Sequence, residues 1–271
     1  MHLSLQGRPT EAQAIRVIHA SLDAGVTLID TANVYCLHQN ELGHNERLVA
    51  RALAAWPGPR ERVLVATKGG LTRPGDRWER DARPASLARA CDESLKALGV
   101  ERSDLYQLHA PDPAVPFAES VSALAELARQ GKVRWIGLSN VSLSQIREAQ
   151  TIVPVVTVQN RLNPFFREAI ADGVVEYCGR HGIGLLAYSP TGGGRLNRKL
   201  PEHSVLRAMA TELGFSPHAL VLAWVLAQGP TVIAIPSART GEHAVDAARA
   251  GDIVLSAKDL LRITEAEFSR A

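Results

Sequence analysis

Gly25-Val26-Thr27-Leu28-Ile29-Asp30-Thr31-Ala32-Asn33-Val34-Tyr35 decides the fold of this chain. Val26, Leu28 and Ile29 make a short apolar run after a helix-stopping glycine, as a buried strand does, and the run ends on a carboxylate. Two later runs end in the same manner. Val63-Leu64-Val65-Ala66-Thr67 closes on Lys68, and Leu105-Tyr106-Gln107-Leu108 closes on His109. A lone acid at a strand lip reads as a cap or a structural ion pair. An acid, a base and an imidazole at the ends of successive strands read as a site.

Working outward, strands alternate with helices. Thr10 and Gln13 form a capping box before a helix whose Ala14, Ile15, Ile18 and Leu22 recur at helical spacing up to Gly25. Helices are predicted near 46–55, 85–98 and 117–129, the latter two stopped by Gly99 and Gly131. A strand over 133–139 precedes a helix capped by Ser142 and Gln145. Strands at 155–159, 183–189 and 231–236 follow, with one helix expected over 168–180 and two more around 205–213 and 217–227. Strands alternating with helices demand a parallel sheet, and at 271 residues this count predicts an α/β, TIM-type (β/α)8 barrel, expected as one domain over 1–271. The first barrel strand is the exception. Met1 to Leu5 is too short and polar for it, so that strand is expected to be absent or truncated, with the natural start upstream of Met1.

Composition narrows the class. The hydrophobic share of 46% supports a sizeable core, and no apolar run approaches the ~20 residues of a spanning helix. A net charge of +2, with both signs mixed, offers no patch for nucleic acid or an anionic membrane. Cys36, Cys91 and Cys178 are odd in number and scattered, which suits a reducing compartment; a cytoplasmic protein without a signal peptide is expected.

At the common edge of a parallel barrel, Asp30, Lys68 and His109 converge, and Tyr35 can fold over the same mouth. A phenol near pKa ~10 is a poor acid until a cation stabilises its conjugate base. Lys68 supplies the cation, Asp30 keeps it charged, and His109 can orient a substrate carbonyl. A polarised carbonyl facing a proton donor calls for a nucleophile such as hydride on its other side.

These residues carry a resemblance. The whole chain resembles the aldo-keto reductase superfamily of NADPH-dependent (β/α)8 barrels: Gly25 to Tyr35 matches its G-x-x-x-x-D-T-A-x-x-Y signature, and Gly43-x-x-Glu46 with Arg51-Ala52-Leu53 matches the helix that follows. Gly137-Leu138-Ser139-Asn140, Gln159-Asn160, Ala187-Tyr188-Ser189-Pro190 and Ile235-Pro236 stand where that family has its cofactor motifs. The resemblance implies a catalytic tetrad of Asp30, Tyr35, Lys68 and His109. It gives Ser139, Asn140 and Gln159 to the nicotinamide carboxamide, Tyr188 to stacking on the ring, and Ser189, Pro190, Gly192 and the turn to Leu196 to the pyrophosphate. Ile235 and Pro236 also belong to the cofactor site, and Ser237, Arg239 and Asp246 would lie along the adenosine end. Many members carry lysine where this chain has Ser237, which leaves NADPH preference to Arg239. The chain ends soon after Phe268, from which a fairly open site is expected.

The implied substrate is a small carbonyl compound, and the expected activity is reduction of aldehydes or ketones. Two other readings are weighed: a Schiff-base aldolase using Lys68, and an NADPH-sensing regulatory barrel with little turnover. No metal is expected, because Cys36, His38 and His44 lack zinc-site spacing and a fourth ligand. Gly182-x-Gly184-x-x-Ala187 has dinucleotide-fingerprint spacing but enters a strand when it should leave one. Trp78, in the polar stretch 73–83, is the tryptophan expected to wall a substrate pocket.

Overall fold

The computed structural model describes residues 3–270. The backbone of these residues divides into two compact units, 3–158 with 237–244, and 159–236 with 245–270. The first unit holds α1 (Glu11–Asp23), β1 (Leu28–Asp30), α2 (His44–Ala55), β2 (Leu64–Gly69), a hairpin of β3 (Leu71–Thr72) and β4 (Glu79–Arg80), α3 (Pro84–Leu98), β5 (Ser103–Leu108), α4 (Phe117–Arg129), β6 (Val133–Ser139) and α5 (Leu143–Gln150). Strand β7 (Val155–Arg161) leads into the second unit, with α6 (Glu168–Ala171), α7 (Val174–Arg180), β8 (Gly184–Tyr188), α8 (Gly193–Leu196), α9 (Ser204–Leu213), α10 (Pro217–Leu226) and β9 (Val232–Ala234). Helices α11 (Gly241–Arg249) and α12 (Ala257–Glu265) follow.

The main sheet runs in the order β1-β2-β5-β6-β7-β8-β9. Its strands come in sequence order, each joined to the next through helix, as right-handed β-helix-β units require. This is the strand and helix succession of a (β/α)8 barrel with seven strands formed among the described residues. The first barrel strand, expected to be absent or truncated, does not form among them. Leu3 to Gly7 make turns, although Leu3 is 1% exposed and packs in the cluster with Val17, Ile18, Leu48 and Val65. Met1, on which part of that expectation falls, lies outside the described residues.

Local sequence explains the element ends. Both capping boxes form: the Thr10 and Ser142 hydroxyls accept from the backbone N–H of Gln13 and Gln145, whose side chains reach back to the cap N–H. The single helix expected over 168–180 is two, α6 and α7, because Gly173 turns into the left-handed region at φ 75° and restarts the helix. Helix α10 is apolar on every side, and its Ala219 to Val225 are all buried. Cys91 on α3 and Cys178 on α7 are buried free thiols, and burial pushes them up to about 12 and about 11.

Candidate active site

Parallel pairing puts the strand ends of the first unit on one edge. Asp30 faces Ala66 across β1 and β2, and Lys68 faces Gln107 across β2 and β5. The ladder runs on one step past each strand: Thr31 N–H donates to Ala66 O (2.8 Å) and His109 N–H to Gly69 O (2.8 Å). Asp30, Lys68 and His109 therefore stand at the same lip.

Lys68 is 0% exposed, and its ammonium has three acceptors for three protons. Nζ donates to Asp30 Oδ2 at 2.6 Å, to Thr31 O at 2.9 Å and to Tyr35 Oη at 3.5 Å. Burial alone would favour the neutral amine, but Asp30 and Tyr35 outweigh it and hold Lys68 above the ordinary lysine value. The lysine is a fixed cation.

Tyr35 hangs from a turn anchored by Ala32 and Val34, both 0% exposed, with Tyr35 N–H donating to Ala32 O at 3.1 Å. Its ring meets His109 edge-on (centroids 5.8 Å apart, 82°) and leans on Trp78 at 6.3 Å. Lys68 Nζ stands 5.2 Å from the ring centre. His109 is 9% exposed, and its Nδ1 is buried with no hydrogen-bond partner among the described residues. Burial first, and Lys68 second, push its pKa down to about 3 against a weaker opposing pull from Asp30. The imidazole is neutral at physiological pH. Asn140 Nδ2 donates to His109 O at 2.9 Å.

Gln107 is the site residue that sequence reasoning missed. Its Nε2 donates to Asp30 Oδ1 at 3.2 Å. The signal was there: a glutamine inside a buried strand, two residues before His109 and so on the same face.

Two loops of the same unit clasp each other beside Tyr35. Arg73 Nη2 donates to Leu37 O (2.6 Å) while its guanidinium lies 4.6 Å over Trp78, which is 46% exposed. Asp76 accepts from Gln39 N–H (2.7 Å) and pairs with His38 Nδ1 (2.9 Å), and Gly75 N–H donates to Gln39 Oε1 (3.1 Å). His44 Nδ1 is bonded to Ser4 Oγ at 2.7 Å. Cys36, next to Tyr35, is 0% exposed, and burial raises its thiol pKa.

The residues assigned to the cofactor divide between the units. In the first unit, Ser139 is buried at the end of β6, and Asn140 follows at φ 58°. Ser237 and Arg239 are exposed there, and Arg239 Nη2 donates to Gln6 O at 3.3 Å beside Gly7, where a Cβ would come within 3.2 Å of Nη1. In the second unit, Gln159 is buried in β7 and Tyr188 is half-buried at the end of β8. Burial pushes the Tyr188 phenol pKa up, which keeps the ring neutral. Ser189 follows at φ 48°, its carbonyl accepting from Asn163 Nδ2 at 2.8 Å. Pro190 is buried, and Gly192 adopts φ 93°, where a Cβ would stand 2.8 Å from Leu196 Cβ. Ile235 and Pro236 are half-buried. Asp246 accepts from Ser216 Oγ at 2.6 Å, the hydroxyl that caps α10.

The profile of the Aldo/keto reductase family matches residues 1–267. A probable aldo-keto reductase of Glycine max is 35% identical over 94% of this chain and 80% of its own length. Among solved structures, a glycerol dehydrogenase from Gluconobacter oxydans superposes with a TM-score of 0.82 at 32% identity, covering 95% of this chain and 85% of that one. An aldo/keto reductase from Klebsiella pneumoniae, in complex with NADP and acetate, gives 0.79 at 31% identity over 93% and 84%.

Proposed function

Because the chain belongs to the aldo/keto reductase family and is thereby an oxidoreductase, we propose that it reduces aldehydes or ketones to alcohols with NADPH, Tyr35 serving as general acid. One observation carries this reading: the third bond of the Lys68 ammonium goes to the Tyr35 oxygen. In that bond the oxygen is the acceptor, and the phenol proton is the one given to the substrate. Donation creates a phenolate beside a fixed cation, which lowers the barrier to giving the proton up. Neutral His109 keeps one ring N–H and can orient the same carbonyl oxygen without competing as an acid.

The residues present fit a dinucleotide. Among the described residues, only Asp76, Asn140 and Ser189 outside glycine have positive φ. Asn140 and Ser189 directly follow β6 and β8, and strained backbone just past a strand end is a mark of ligand-binding positions. Gly192 lets the following turn stay narrow. In this reading Ser139, Asn140 and Gln159 hold the carboxamide, Tyr188 offers a flat neutral face, and Ser189, Pro190 and Gly192 present backbone to phosphate. Ile235 and Pro236 also belong to the cofactor site, and Ser237, Arg239 and Asp246 serve the adenosine end, with Arg239 on the 2′-phosphate. The group itself supplies the hydride.

The organisation and location of the chain follow from the same reading. A family match spanning 1–267 supports treating the chain as a single barrel domain. Free buried Cys36, Cys91 and Cys178 support a reducing compartment, the cytoplasm. A Schiff-base role for Lys68 is disfavoured, since an ammonium held by three acceptors has no lone pair to offer.

The test is Tyr35→Phe. Turnover on a panel of aldehydes and ketones should fall ~10²-fold or more while NADPH affinity stays nearly unchanged. Wild-type turnover in a folded Tyr35→Phe protein would reject the mechanism. Tight NADPH binding without turnover by the unaltered protein would favour the sensing reading.

A further inference from the structure

We propose that Gln107 is a positioning residue for the tetrad, holding Asp30 through its side-chain amide so that the Asp30-Lys68-Tyr35 chain keeps its charge order. The inference rests on the reading of Tyr35 as the acid, and it extends the site by one residue that no motif supplied.

The geometry is continuous across four strands. Gln107 is 0% exposed in β5, with Lys68 of β2 as its register partner on one side and Gly137 of β6 on the other. A Cβ at residue 137 would come within 2.9 Å of Gln107 Cγ and 2.2 Å of Thr157 Oγ1. The missing side chain at Gly137 is what gives the glutamine its room. From there Nε2 donates to Asp30 Oδ1 (3.2 Å), and the other carboxylate oxygen takes Lys68 Nζ (2.6 Å).

The amide does electrostatic work at that place. In a dry site an N–H dipole pointing at a carboxylate offsets part of its charge, and the effect is not screened away by solvent. Removing the donor leaves more of the Asp30 charge to act on Lys68 and on the Tyr35 oxygen. The phenolate is then disfavoured, and proton donation becomes harder. The other ionisable groups around this centre are His109, which Lys68 and Asp30 both influence, and Glu46 on α2, which Lys68 also influences. Both stay in place in the variants below.

The experiment is an ultraviolet difference titration of the phenolate band, with Tyr35→Phe as the baseline that isolates Tyr35 from the other tyrosines. It needs no turnover, so a carbonyl panel that shows no activity counts against the proposed function and leaves this inference standing. In Gln107→Leu the Tyr35 midpoint should move to higher pH. In Gln107→Met, which fills a similar volume without an amide, it should move by a similar amount. Where turnover is measurable, kcat should fall by about tenfold with little change in KM, as expected for an effect on the transition state alone. A purely structural glutamine gives a different result: the volume-matched Met variant would titrate Tyr35 as the unaltered protein does. Midpoints that coincide in folded, NADPH-binding variants overturn the proposal. Should Gln107→Leu fail to fold, Gln107→Met decides it alone.

Discussion

Lys68 puts a fully buried charge at the centre of the proposed site. A cation with no solvent contact is tolerated because Asp30, Thr31 and Tyr35 take all of its protons, and removing it strands the Asp30 carboxylate in a dry site. Lys68→Met should therefore lose turnover as Tyr35→Phe does, and in addition lose roughly 3–5 kcal/mol of stability. Adding Asp30→Asn should restore most of the stability and none of the activity. Denaturant melts and turnover on the single and double variants check this; a double variant no more stable than Lys68→Met would show that the loss is one of packing. Glu46 poses the opposite problem. Burial raises its pKa, Thr67 Oγ1 donates to its Oε1 at 2.5 Å, and its Oε2 has no partner among the described residues. A carboxyl whose folded pKa is raised contributes stability below the unfolded value and loses it as pH rises through the folded one. Glu46→Gln should thus stabilise the protein more at about pH 8 than at about pH 5, as thermal melts would show. At this scale the sequence was most readable. Asp30, Lys68 and His109 stand at strand ends because a parallel sheet puts them there, whereas Gln107 shows in the sequence only as a glutamine in a buried strand, and its partner Asp30 lies 77 positions away in the chain.

Elements were legible in proportion to their length and punctuation. Thr10 and Gln13, or Ser142 and Gln145, announce a helix start through side chains that serve the first turn, and both starts fall where the spacing put them. Thr10→Ala should cost about 1 kcal/mol in a denaturant melt, the usual worth of an N-cap; no loss would mean that tertiary packing holds α1 without its cap. The hairpin of β3 and β4 escaped notice because two-residue strands cannot show alternation. Its connecting loop is held from outside, where Asp76 and Arg73 tie it to residues 37–39. Helices α11 and α12 went unassigned as well, since the strand pattern that organised the rest of the reading stops at Pro236. The missing break between α6 and α7 has a plain cause: the apolar positions continue in helical phase, and Gly173 alone interrupts the backbone.

For the whole molecule, stability and cofactor choice share one thermodynamic account. His109 titrates near its ordinary value when unfolded and at about 3 when folded, so in that window the unfolded chain binds a proton that the folded chain refuses. Stability from this group is full above the ordinary imidazole value and is lost as pH falls toward about 3. Arg239 should decide between cofactors: Arg239→Ala is expected to weaken NADPH by roughly 1.5–3 kcal/mol and to leave NADH nearly unchanged in fluorescence titrations. Equal losses would remove Arg239 from the 2′-phosphate. The alternation of strands and helices made the barrel class readable from the chain alone, and the lack of a first strand was readable too, while the burial of Leu3 was not, because packing, and no ladder, holds it. The three buried thiols carry one last consequence. Thiolates are scarce at Cys36, Cys91 and Cys178, so a disulfide reagent can capture each only during excursions that expose it, and its capture rate becomes a local clock. Asp76→Ala, which unties the clasp, should quicken the Cys36 clock and leave those of Cys91 on α3 and Cys178 on α7 running at their former pace, so that the breathing of the loop that carries Tyr35 can be timed apart from the rest of the protein.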